Sequence, residues 1–459
     1  MFFRPQHLHF VGIGGIGMSG IAEVLLNLGY RISGSDLKKS PITDRLAALG
    51  AEIFEGHSAE NVGDATAVVI TSAVDATNPE VAAAVKRNVP VIPRGELLAE
   101  LMRLKFGIAV GGSHGKTSTT SMTATVLAHA GKDPTVVVGG RVATLGGSNA
   151  RVGTSDLLVV ESDESDGSFL KLAPILAVVT NIDREHLDHY GTFEGVLNAF
   201  VEFVNKVPFY GAAILCIDNE HVQSILPRVR RRMLTYGAST QADLVVSRIV
   251  SGGAASDFDL RLNGNSLGTF HIPTPGRHNV LNATAAVAVG LELELSTEEI
   301  RQGLAQYRGV DRRFQAKGQA AGVVVVDDYG HHPTEIRATL EAARLGGYGR
   351  ILALFQPHRY SRTQSLMDEF AKSFHQADAV WVTDIYAASE PPIDGVTAEV
   401  LVRRMTSHGH RAAHYAGSIP NAVAGAVAEA KSGDLVLTLG AGSITQAGDQ
   451  ILKALEARN

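Results

Sequence analysis

Short apolar runs recur along this chain, each closed by glycines or acids and followed by a longer stretch with helical spacing. Solid apolar runs mark strands buried on both faces, and their alternation with helices predicts parallel sheets built from βαβ units. In the first segment, Leu8 to Ile13 reads as a strand, Met18 to Leu28 as a helix ended by Gly29, and Arg31 to Ser35 as a strand closed by Asp36. Ala67–Thr71 and Val89–Ile92 continue as strands around a helix over Pro79–Arg87. In the middle segment, Phe106 to Val110, Asp156 to Val160 and Ile175 to Thr180 read as strands, and Thr119 to Ala130 as a helix stopped by Gly131. Asp243 to Ile272 reads as short strands with glycine turns, followed by an alanine-rich helix from Val280 to Leu293. The last segment offers strands at Val323–Val326, Ile351–Phe355, Ala379–Thr383 and Asp434–Leu439. Helices are predicted there at Thr334–Arg344, Thr363–Phe374, Asn421–Ala430 and Ile444–Ala457.

With 459 residues the chain is too long for one core, and the pattern divides it into three α/β domains, 1–105, 106–310 and 311–459. A net charge of −6 gives no electrostatic footprint for nucleic acid or an anionic membrane, so neither partner is expected. The one basic cluster, Arg228 with Arg230, Arg231 and Arg232, reads as a solvated face. A single cysteine, Cys216, excludes an intrachain disulfide and fits a reducing compartment. The N-terminal residues carry no leader pattern, and no apolar run reaches the ~18 residues that span a bilayer. A cytoplasmic protein is expected.

Chemistry gathers at the ends of the strands. Gly111-Gly112-Ser113-His114-Gly115-Lys116-Thr117-Ser118 lies between a strand and a helix. Backbone amides at such a turn face an anion, Lys116 adds a positive charge expected to face solvent or ligand, and Thr117 offers a hydroxyl to Mg²⁺. Val110 stands where the usual P-loop has its first glycine, so the loop is a shorter variant. It predicts a bound nucleoside triphosphate. The neighbouring strand ends in Glu161-Ser162-Asp163-Glu164-Ser165-Asp166, hard oxygens of the kind that hold Mg²⁺ beside phosphates. The next ends in Asn181 to Asp188, bringing His186 to the same edge. Gly12-Ile13-Gly14-Gly15-Ile16-Gly17 matches G-x-G-x-x-G, with Asp36 closing the second strand. That turn predicts a phosphate-bearing ligand. Taken alone it also suits a nicotinamide dinucleotide and an oxidoreductase, which leaves Lys116, Glu161 and His186 without a task. Pro275-Gly276-Arg277-His278-Asn279 opens a helix that would meet a base or a phosphate. In the last segment, Asp327 to Pro333 and Gln356 to Arg362 bring histidines, arginines and carboxylates to adjacent strand ends, which suits a small zwitterion.

Together, Gly12 to Gly20, the Gly-Ser-His-Gly-Lys-Thr loop, Glu161 to Asp166, Asn181 to Asp188, Pro275 to Asn279, Asp327 to Pro333 and Phe355 to Tyr360 resemble the signatures of the Mur ligase family. The resemblance covers essentially the whole chain. It implies a Rossmann-like N-terminal domain for a UDP-sugar, a central P-loop ATPase-type domain with a β-rich annex, and a Rossmann-like C-terminal domain for an amino acid. The implied reaction joins L-alanine to the lactyl carboxylate of UDP-N-acetylmuramate through an acyl phosphate, in peptidoglycan precursor synthesis, with ATP and Mg²⁺. The same signatures also fit a recycling ligase that attaches a whole tripeptide. On the family pattern, Gly112 to Ser118, Asn279, Asn282, Arg313 and Asp328 hold ATP or position the third domain. Lys116, His186, Arg313 and Asp328 are the expected catalytic residues, and Thr117, Glu161 and His186 the metal ligands. Gly14, Gly15, Ile16, Gly17 and Ser72 would take the UDP-sugar. Tyr329, His331, Arg359 and Arg362 would take the amino acid. A monomer or homodimer is implied.

Overall fold

The computed structural model describes residues 6–71, 73–142 and 148–458. The described residues form two compact units, one from Met1–Ser247, Asp259–Phe270 and Leu281–Arg308, the other from Arg248–Phe258, His271–Val280 and Gly309–Asn459.

The first unit opens with a five-stranded parallel sheet centred on His7–Val11, flanked by Arg31–Asp36 and Glu52–Glu55 on one side and by Ala67–Ile70 and Val91–Pro93 on the other. The strand order is the doubly wound one, and it puts the Gly12 to Gly17 turn at the C-terminal end of the central strand. The same unit holds the heart of a ten-stranded sheet. There Phe106–Gly111 pairs in parallel with Leu157–Glu161 and Leu176–Val179, so the predicted phosphate loop and both acidic strand ends share one edge. Ile108, Ala109 and Val110 are fully buried, which is why the run is apolar without alternation. The sheet continues through Ala212–Cys216 to Met233–Gly237, beyond which come the meander strands Leu244–Gly252, Ala255–Leu262 and Asn265–Ile272.

The second unit carries a six-stranded sheet, its strands in the spatial order Gln315–Ala320, Val323–Asp328, Leu435–Leu439, Ile351–Phe355, Ala379–Thr383, Ala413–Gly417. Only the first pair is antiparallel. Apolar layers lie on both faces, one built on Phe355, Phe370 and Phe374, the other on Trp381, Val423 and Ile451.

Several elements differ from the sequence reading. The helix after the phosphate loop starts at Lys116, not Thr119, and runs to His129. Its first turns are threonine and serine, and buried hydroxyls such as that of Thr120 donate back to the helix, here to the Lys116 carbonyl. The helix read as Thr363–Phe374 is two short ones, Tyr360–Ser365 and Met367–Ala371, parted at Leu366. Arg94–Arg103 is a helix with no counterpart in the sequence reading.

Candidate active site

In the first unit the phosphate loop is moulded against the end of the strand Leu176–Val179. Gly112 has φ +126°, and a Cβ there would lie 2.2 Å from the Thr180 hydroxyl. Gly115 has φ +82°, and a Cβ would lie 2.5 Å from the Asn282 amide oxygen, so Asn282 packs directly on the loop. Only glycine satisfies both requirements. Ser113 N–H donates to the Asn181 carbonyl at 3.0 Å and His114 N–H to the Asn181 side-chain oxygen at 2.9 Å. The His114 ring meets Asp183 at 3.0 Å. The amides of Lys116, Thr117 and Ser118, in the first turn of the helix, have no intrahelical acceptor and are the donors suited to an anion.

Lys116, expected to face solvent or ligand, lies against a carboxylate. Its side chain is 14% exposed and its ammonium lies 2.8 Å from both oxygens of Glu164, itself 3% exposed. It also donates to the carbonyls of Gly112 and Ser113. Burial opposes its charge, but the carboxylates of Glu164, Asp163 and Glu161 outweigh that and raise its pKa. Burial, with Asp163 adding to it, pushes the Glu164 carboxyl up to about 7 despite the lysine. Asp163 is held down by Lys116 and Arg94 against burial.

Two oxygen-rich donor groups flank this pair. Thr117 donates to Glu161 at 2.9 Å, and Glu161 also accepts from Gly139 N–H. Glu164, Glu185 and His186 place their donor atoms within 4.8 Å of one another. Thr117 and Glu161 thus lie together, and His186 belongs to the second group with Glu164, from the acidic run read as a source of Mg²⁺ oxygens, and Glu185. A carboxylate-rich set fits a hard divalent cation. His186 adopts φ +57° at the start of the short helix Leu187–Tyr190.

The glycine turn of the five-stranded sheet hangs from the next strand. The Ser35 carbonyl accepts Gly12 N–H and Ile13 N–H, and the Asp36 carboxylate accepts Gly14 N–H at 2.9 Å. In dinucleotide enzymes that acid meets a ribose hydroxyl, whereas here it braces the turn. Ile16 opens the helix Ile16–Asn27, and Ser72 lies outside the described residues. A cavity of about 570 Å³ is lined by Gly15, Gly17, Thr71, Arg94, Asp166 and Lys171. A Cβ on Gly17 would lie 1.9 Å from the Arg94 guanidinium, so this glycine makes room for an arginine. Arg94, 3.8 Å from Asp163, was invisible in the sequence because nothing in its spacing ties it to the glycine turn.

In the second unit, Asp328 is buried and fully engaged. It accepts from Phe314 N–H and Gly330 N–H, each at 2.7 Å, and from Thr339. Burial raises its pKa although Arg313 and these amides oppose it. Arg312 and Arg313 stand 4.9 and 5.0 Å from the Tyr329 ring centre, and Arg313 pairs with Glu335. His331 packs between Tyr329 and His358, and His358 stacks on Tyr386. Burial, then the electrostatic influence of His331, Arg362 and Arg359, holds His358 down to about 4 and neutral. Arg359 caps the helix bearing Arg362 with φ +71°. Asn279 is buried and donates to Thr274 and Pro275, closing the turn at Gly276.

The chain matches three family descriptions in succession: Mur ligase family, catalytic domain, over residues 7–106; Mur ligase middle domain over 110–290; and Mur ligase, glutamate ligase domain, over 312–442. It is 67% identical to the UDP-N-acetylmuramate–L-alanine ligase of Solibacter usitatus, over 99% of this chain and 96% of that one. To the ligase of the same name from Koribacter versatilis it is 57% identical, over 100% and 99%. Among solved structures, the UDP-N-acetylmuramate–alanine ligase of Thermotoga maritima superposes with a TM-score of 0.83 at 30% identity, over 99% of this chain and 100% of that one.

Proposed function

The chain belongs to the Mur ligase family, with its three-domain α/β fold, and on that premise we propose that it joins L-alanine to the lactyl carboxylate of UDP-N-acetylmuramate, cleaving ATP to ADP and phosphate. The observation that carries this reading is the 67% identity, along nearly the full length, to a ligase of that name. Neither the tripeptide-attaching ligase nor the NAD-dependent oxidoreductase is favoured.

A carboxylate resists attack by an amine because its oxygen is a poor leaving group. Transfer of the γ-phosphoryl group to the lactyl carboxylate makes a mixed anhydride, from which phosphate leaves when the neutral amine of alanine attacks. Two anions must meet in the first step, so positive charge has to be in place beforehand. Lys116, held at the loop by Glu164 and by two loop carbonyls, supplies it by exchanging one of these partners for a phosphoryl oxygen. Thr117 with Glu161, and His186 with Glu164 and Glu185, would hold Mg²⁺, which when bound neutralises phosphoryl oxygens. The turn Gly14 to Gly17, with Arg94 beside it, receives the sugar nucleotide, while Arg359 and Arg362 hold the alanine carboxylate with Tyr329 and His331 beside it. Asn282 supports the loop, Asp328 fixes the backbone beside Arg313, and Asn279 holds the turn at Gly276. The domains are 1–105, 106–310 and 311–459. The enzyme works in the cytoplasm; no helix among its described residues is long and apolar enough to cross a membrane.

Phosphate release measured with ATP, Mg²⁺ and UDP-N-acetylmuramate, across a panel of free amino acids and one tripeptide, should be stimulated most by L-alanine. Preference for the tripeptide would reassign the reaction. Arg359→Ala should raise the KM for L-alanine by ~10- to 100-fold, the worth of a charge-assisted contact, and leave the KM for ATP within about twofold. The opposite order would move the amino acid elsewhere.

A further inference from the structure

The phosphate loop does not hold its own shape. Its main chain is tied to the segment Thr180 to Asp183 by a dense set of hydrogen bonds, three of which meet at the main chain of His114. Asn181 grips that residue at both ends. Its side-chain oxygen accepts His114 N–H at 2.9 Å and its NH₂ donates to the His114 carbonyl at 3.0 Å. The Thr180 hydroxyl donates to the same carbonyl at 2.6 Å, Ser113 N–H donates to the Asn181 carbonyl, and Asp183 N–H donates to the Ser113 hydroxyl at 2.8 Å. The contact is too close for any side chain at position 112, since a Cβ there would also lie 2.9 Å from the Asn181 carbonyl.

From this geometry we propose that Asn181 is the positioning residue of the phosphate cradle: its side-chain amide, by holding both main-chain polar groups of His114, fixes the path of the loop into the helix that bears Lys116 and Thr117. The inference rests on the reading of this loop as the ATP site. Two consequences distinguish it from simple packing. The Ser113 and His114 amides are spent on Asn181, so the phosphate is left to the helix's first turn and Lys116. And Asn181 lies five positions before His186 on one stretch of chain, so the phosphate cradle and the second donor group are set by the same strand end.

Asparagine alone among residues of this size offers a donor and an acceptor side by side. Asn181→Asp keeps the acceptor for His114 N–H but turns a second oxygen towards the His114 carbonyl. Asn181→Ala removes both contacts and adds no charge. ADP and UDP-N-acetylmuramate binding would be measured calorimetrically on the full chain and both variants, beside the KM values. The expected result is ADP affinity at least tenfold weaker in both variants and a matching rise in the KM for ATP. Sugar-nucleotide affinity should stay within twofold, which also certifies folding. ADP affinity within twofold of the parent in either variant overturns the proposal, as does a parallel loss of both affinities, the mark of a general packing role. If the parent chain itself fails to bind ADP while binding the sugar nucleotide, the ATP reading falls and takes this proposal with it.

Discussion

Lys116→Ala should lose ATP-dependent phosphate release by about a thousandfold or more, the scale on which preorganised charge contributes to phosphoryl transfer. The structure adds a second expectation. Because Lys116 is buried against Glu164, its removal strands a carboxylate in the interior, and breaking a buried pair costs roughly 3–5 kcal/mol when the remaining charge stays ionised. Glu164, with its pKa already near 7, escapes part of that penalty by taking up a proton. The single variant should therefore melt lower, and less so in mildly acidic buffer. Lys116→Ala combined with Glu164→Gln should recover the melting temperature and none of the turnover. Substantial phosphate release from the single variant would remove Lys116 from the chemistry.

The second large effect is on stability. Glu80 is wholly buried in the N-terminal sheet domain, accepting from Ser35 at 2.6 Å and Asn61 at 2.8 Å, with His57 at 2.9 Å and His9 at 3.4 Å. Burial pushes its pKa up, but the contacts with His9, Ser35 and Asn61 prevail and hold it at about 2, against an ordinary 4.5. A depressed carboxyl stabilises the fold above its unfolded pKa and loses that contribution as the pH falls through its folded one. The window is therefore pH 4.5 down to 2, and the shift corresponds to about 3 kcal/mol. Denaturant titrations at a series of pH values should show the parent's advantage over Glu80→Gln largest above pH 5 and shrinking towards pH 2. An advantage that does not change with pH would refute the assignment. Ser35 links this group to the glycine-rich turn, since its hydroxyl meets Glu80 while its carbonyl holds Gly12 and Ile13.

The buried architecture was legible because parallel strands covered on both faces leave solid apolar runs; Ile351–Phe355 and Ala379–Thr383 matched residue for residue. Edge strands such as Glu52–Glu55 and Ala413–Gly417, half exposed and mixed in composition, carry no such signal. Lys116–His129 was read short because a hydroxyl-rich first turn resembles a loop, and its amphipathic stripe is missing where the helix is buried all round. The site's residue types were legible, its pairings were not. Spacing says that six residues, Glu161 to Asp166, follow a strand, but only the fold selects Glu164 to face a lysine 48 positions away. Arg94 escaped for the same reason, acting on a glycine distant in sequence, and Asn181, though inside a motif, showed nothing of its grip on a main chain 67 positions away.

His186 and Arg359 both hold backbone angles that glycine adopts freely and other residues adopt at a cost. At these two places the proposed function and thermal robustness pull in opposite directions. A screen for heat resistance would favour glycine over alanine at both, the reverse of its usual order, and under the proposed function every gain it collected there would be a metal or substrate contact discarded.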